Sequence, residues 1–124
     1  MVPYTVTDGA RIAEPLIDAP PSPLAGAQLY RSAATGCAGC HGAPGAGGTE
    51  EGPDLAGVAA RHEPGALRLR LVAPEVLDPA LTEHSYYRAG QRRGADDPLY
   101  GGPRLTAGEI EDLVAWLATL TWAP

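Results

Sequence analysis

Residues 37–41 read Cys37-Ala38-Gly39-Cys40-His41, and no other segment constrains the chain so tightly. Two thiols at this spacing, followed at once by an imidazole, admit a disulfide, a redox dithiol, half of a zinc site or the covalent attachment of a haem. A thioredoxin-like dithiol needs a βαβ setting, and no stretch of this chain alternates apolar and polar residues as a strand does. A Cys₂His₂ zinc finger wants histidines about three to five residues apart, whereas His41, His62 and His84 are scattered. Haem attachment asks for nothing beyond what is present: two thiols to add to the porphyrin's vinyl groups, and an adjacent imidazole to face the iron.

Composition points the same way. A chain of 124 residues is expected to form one domain, and with 16 Gly, 13 Pro and no Phe it is short of ordinary core material. A large, flat, apolar group would fill that interior and cross-link the chain. The net charge of −6 argues against nucleic acid as a partner. No apolar run approaches the roughly 20 residues of a membrane span. The start, Met1-Val2-Pro3-Tyr4, has neither the basic nor the apolar part of a secretion signal. Because covalent haem attachment is completed outside the cytoplasm, the expectation is a mature, soluble domain whose signal has been removed.

The fold class expected is all-α. Pro3, Pro15, Pro20, Pro21 and Pro23 preclude regular helix and predict an extended arm over 1–23, wrapping the surface of a domain at 24–124. Leu24, Ala27, Leu29 and Tyr30 recur at helical spacing and predict a helix to about Ala34. Residues 42–52 read as a flexible glycine-rich loop without chemistry. Pro64 opens a short helix to about Val72, with Leu67 and Leu71 on one face, and Pro74 ends it. Four prolines, at 74, 79, 98 and 103, then predict mostly loop to Arg104, with a short helix near Glu75. Thr106-Ala107-Gly108-Glu109 is a capping box, and Ile110, Leu113, Val114, Leu117 and Leu120 form the apolar stripe of a helix over 107–120.

Several further residues are candidates for the site. Pro53, in Gly52-Pro53-Asp54-Leu55-Ala56-Gly57, stands where class I cytochromes c place a proline whose carbonyl accepts the Nδ1–H of the iron-bound histidine. Tyr86 and Tyr87 could line the haem edge or bond a propionate, and Arg88, Arg68 or Arg70 could pair with propionates. Trp116 is expected to pack against Gly26, where a missing side chain lets two helices approach. His62, before Glu63-Pro64 at a helix start, reads as a surface histidine.

With these residues in view, the chain resembles the monohaem SoxX subunit of the SoxAX cytochromes of bacterial thiosulfate oxidation. The resemblance runs through Tyr4-Thr5-Val6, Cys37 to His41, Pro53 to Val58, Leu67-Arg68-Leu69-Arg70-Leu71-Val72, Pro79 with Tyr86-Tyr87-Arg88, and Leu105 to Leu120. It implies a class I cytochrome c fold, a periplasmic location, one covalent haem c on Cys37 and Cys40, and His41 as proximal iron ligand. It also implies a SoxA-like partner, with which an electron-transferring, non-catalytic SoxX subunit supports coupling of thiosulfate to a carrier protein. Family members carry a Met-Pro pair before the double tyrosine, the methionine being the distal ligand, and here Glu83-His84 stands instead. Met1 is the only methionine and there is no lysine. His84 is therefore the expected distal ligand, giving bis-histidine coordination, with Glu83 as the alternative. The altered ligand leaves two other functions open: a ligand-binding, sensing or small redox-enzyme haem module with a displaceable sixth ligand, and a free-standing carrier for another dehydrogenase.

Overall fold

The computed structural model describes every residue from Met1 to Pro124. Five α-helices follow one another: α1 (Pro23–Arg31), α2 (Cys37–His41), α3 (Val58–Arg61), α4 (Pro64–Val72) and α5 (Ala107–Leu117). Two 3₁₀ segments, Pro74–Val76 and Pro79–His84, lie between α4 and α5. There is no β-strand, only an isolated antiparallel bridge between Thr7 and Arg11. The expected all-α fold is the one observed.

Local chemistry sets the helix ends. Ser22 accepts from the Ala25 amide and Pro23 begins α1; the Glu63 carboxylate accepts from the Gly65 amide and Pro64 begins α4. Proline suits both first positions because the first amides of a helix have no intrahelical partner. The capping box of α5 is complete, Thr106 and Glu109 each accepting the other's backbone N–H. α1 stops at Arg31, short of the expected Ala34, because Thr35 turns its hydroxyl back onto the Leu29 carbonyl at 2.6 Å. α5 ends at Leu117 rather than Leu120, closing in a turn in which the Thr119 hydroxyl takes the Trp116 carbonyl. The 3₁₀ turn near Glu75 was legible; the one at Pro79–His84 was not.

α1 and α5 cross where Gly26 meets Asp112. A Cβ on Gly26 would collide with the Asp112 carbonyl and stand 2.9 Å from the Trp116 Cβ, so the backbones touch as expected. Trp116 also stacks at a tilt on Tyr30, with ring centroids 4.7 Å apart. Beneath this crossing Ile110 and Leu113 of α5 pack with Leu69 and Val72 of α4 and with Ile12, all fully buried.

The first 22 residues form no helix, yet they are sewn to the helices. The Ile12 amide donates to the Gly65 carbonyl, and the Ile12 carbonyl accepts from Arg68 Nη1 at 2.7 Å. The Leu16 amide donates to the Glu111 carboxylate at 3.1 Å. Arg68 and Glu111 form a buried two-pronged ion pair, both contacts 2.9 Å. Arg68, considered above for a propionate, is thus committed to α5 and the arm: a second anion would have to displace a bidentate carboxylate.

Candidate functional site

α2 is little more than one turn, and it carries the Cys-x-x-Cys-His segment. Gly36, in the left-handed region at φ 70°, lets the chain reverse into it. Residues three and four apart share a face of a helix, so Cys37, Cys40 and His41 are neighbours. No disulfide joins the two cysteines, of which Cys37 is buried and Cys40 exposed. The end of α2 is held by side chains: the Tyr30 hydroxyl donates to the Gly42 carbonyl at 2.5 Å, and the Thr49 hydroxyl donates to the Cys40 carbonyl. Burial pushes the Tyr30 phenol up to about 12, so it keeps the proton it donates.

His41 Nδ1 lies 2.7 Å from the Pro53 carbonyl. A carbonyl only accepts, so Nδ1 carries the proton and Nε2 keeps the lone pair. The loop over 42–52, read as free of chemistry, supports this contact. Asp54 accepts the amides of Gly45, Gly47 and Ala56 at 2.9 Å each, and these bonds hold its carboxyl below the usual carboxylate range. Gly48, at φ 76°, passes so near the Asp54 amide that a Cβ there would sit 2.5 Å away.

His84 closes the second 3₁₀ segment, its Nδ1 3.4 Å from the Arg70 carbonyl. Its ring lies edge-on to that of His41, with centroids 6.2 Å apart and planes 85° apart. Loss of solvent lowers the His84 pKa, the Arg70 carbonyl opposes that shift, and the nearby His41 adds to it; the net fall favours neutral imidazole, the form with a lone pair to give.

The spacing provides a test of fit. A metal–imidazole bond is about 2.0–2.1 Å, and the ring centre lies about 1.1 Å behind the nitrogen, so two imidazoles sharing one metal in line have centres about 6.3 Å apart. The observed separation agrees, and the residues present suit a haem iron between two histidines.

Tyr86 stands beside both halves of this arrangement. Its ring meets that of His84 edge-on at 6.0 Å, and its hydroxyl lies 3.7 Å from Cys37 Sγ. That hydroxyl donates to the Thr35 carbonyl at 2.7 Å, which leaves it no proton for a propionate. Arg104, absent from the sequence reading, lies 4.9 Å from the centre of the Tyr86 ring and binds the Ala34 carbonyl. Arg88 is exposed and reaches the Thr82 carbonyl at 3.5 Å; Arg70 turns its guanidinium to the Ala66 carbonyl. Neither guanidinium is hydrogen-bonded to His41, His84, Cys37, Cys40 or Tyr86. Tyr87 accepts the Val2 amide, Glu83 is exposed, and His62 caps α3. Gly52, Thr35 and Arg104 left no local signal in the sequence. The free carbonyl of Arg70 did leave one, since Pro74, four residues on, has no N–H to offer it.

The cytochrome c family model matches residues 24–121. Among solved structures, the chain is similar to one in the crystal structure of SoxXA from P. pantotrophus, with 26% identity and a TM-score of 0.76 over 97% of this chain and 94% of that one. No curated protein matches the chain. No helix is long and apolar enough to cross a membrane.

Proposed function

Because the chain belongs to the cytochrome c family and carries one haem c bound covalently through Cys37 and Cys40, we propose that it is a single-electron carrier of the SoxX type whose iron is held between His41 and His84. Bound there, the haem supplies one iron that changes by one electron at a time. The observation that carries the assignment is the pair of neighbouring imidazoles, ring centres 6.2 Å apart, each with Nδ1 turned to a backbone carbonyl and its other nitrogen free. The Pro53 carbonyl fixes the tautomer and orientation of His41 and raises its basicity. Tyr86 walls the pocket between Cys37 and His84, its own proton fixed on Thr35. A second imidazole in place of a thioether favours the oxidised iron, so the potential should lie below that of a His/Met relative.

The likeness to SoxXA supports a SoxA-type cytochrome subunit as the partner, this chain accepting electrons released when a sulfur compound is oxidised. Thioether attachment supports a periplasmic location.

The deciding experiment is the optical spectrum of holoprotein matured with covalent haem. Low-spin iron in both oxidation states that does not bind carbon monoxide is expected. His84→Ala should become high-spin and bind carbon monoxide, whereas His62→Ala should not change. An unaltered low-spin spectrum in His84→Ala would overturn the ligand assignment. Co-expression with a SoxA-type subunit should give one complex on size exclusion; separate elution would point to a free-standing carrier.

A further inference from the structure

The last carbonyls of a helix have no partner within it, and at the end of α4 consecutive ones are met by consecutive residues of one strap. Arg70 would ordinarily bond the amide of residue 74, but Pro74 has none. Its carbonyl instead faces His84 Nδ1 at 3.4 Å. The Leu71 carbonyl accepts the Tyr86 amide at 2.8 Å, and the Val72 carbonyl accepts the Ser85 hydroxyl at 2.7 Å. Ser85 is fully buried, and its oxygen also accepts the Tyr87 amide at 3.2 Å. On the strap's other side Gln91 donates to the Ser85 carbonyl and Leu105 donates to the Tyr86 carbonyl. The Tyr86 ring then meets the His84 ring edge-on. His84 is thus held by bonds to its ring nitrogen and to the residues that follow it.

We propose that the C-terminus of α4 is a template that holds the His84 ring across the plane of the His41 ring, and that Ser85 is the positioning residue that fixes this orientation. The inference rests on His84 being the distal ligand and adds what the ligand assignment alone does not contain. An imidazole bonded to a metal only through Nε2 can turn about that bond, so its plane is set by what holds the rest of the ring. Here the Arg70 carbonyl and the Ser85–Val72 anchor set it 85° from His41. Crossed ligand planes leave the two iron orbitals that share the unpaired electron nearly equal in energy, whereas parallel planes split them. Paramagnetic resonance reads that splitting directly.

The experiment is low-temperature electron paramagnetic resonance of the oxidised holoprotein. Crossed planes give one broad feature at very low field, and this is the expected spectrum. A resolved three-line rhombic signal would overturn the crossed arrangement while leaving His84 as ligand. A high-spin signal would instead remove His84 from the iron, and with it the reading on which the template rests. In Ser85→Ala the spectrum should move toward the rhombic form while the iron stays low-spin by optical absorption. Thr82→Ala, on the same 3₁₀ segment, removes only a hydroxyl that donates to the Pro79 carbonyl and should keep the broad feature. An unchanged broad feature in Ser85→Ala would remove Ser85 from the role. If that variant does not fold, the spectrum of the unaltered protein still decides the orientation.

Discussion

Gly52 lies so close to His41 that a Cβ there would stand 2.8 Å from Nδ1 and 2.9 Å from Cε1. The glycine is needed for space alone, since its backbone is not in the left-handed region. It lets the imidazole reach the carbonyl of the next residue, Pro53.

Gly52→Ala should therefore move the His41 ring and lengthen its bond to Pro53. Losing that bond makes the ligand less basic, so the reduction potential should rise, and the added methyl should cost about 1–3 kcal/mol as overpacking. Potentiometric titration and thermal unfolding of the holoprotein check both. A lower potential would contradict the role given to Pro53.

Arg68→Met should cost about 3–5 kcal/mol, because it leaves the buried Glu111 carboxylate without its ion partner. Replacing both residues with apolar ones is often harmless for an isolated pair. Here Arg68→Met with Glu111→Leu should remain destabilised, since the Ile12 carbonyl and the Leu16 amide lose their partners. Denaturant unfolding at unchanged m-value distinguishes the outcomes, and faster cleavage of the arm in a protease time course should accompany the loss.

Gly26→Ala should destabilise toward the upper end of the range for overpacking, about 3 kcal/mol. The obstacle is the Asp112 backbone, which cannot rotate aside as a side chain can. The midpoint of thermal unfolding reports it.

The Asp54 carboxyl has a pKa lowered from its ordinary 3.8 by the amides it accepts. A group with a depressed folded pKa stabilises the fold above the unfolded value, and that contribution fades as the pH falls through the folded value. Asp54→Asn should thus be less stable than the parent at neutral pH, with the gap beginning to narrow below the ordinary value of 3.8. Melting curves of both proteins across the acid range should converge; a gap independent of pH would assign the effect to shape rather than charge.

What was legible in the sequence is what local chemistry determines. The Cys37–His41 segment, the prolines that open α1 and α4, and the capping box of α5 each act within a few residues of themselves, whereas the carbonyl of Pro53, which reaches His41 from further along the chain, was legible only from the class I cytochrome c pattern. Trp116 over Gly26 was also legible, because a glycine in a helix matched to an indole in another is a packing signal. Arg68 was misread because its partner, Glu111, lies 43 residues away. The 42–52 loop was misread because glycine composition signals freedom, whereas the amides it exposes are gathered by Asp54. The crossed planes of His41 and His84 depend on how α4 ends against a strap more than ten residues later, which no local pattern encodes.

The two cysteines differ in accessibility, and that difference orders events in time. Cys37 is buried, its sulfur against the Tyr86 hydroxyl, whereas Cys40 is open to solvent. A chain that reached its final shape before modification would hide one of the two sulfurs that must react. Thioether formation at position 37 is therefore expected to come before the Tyr86 hydroxyl packs against that sulfur.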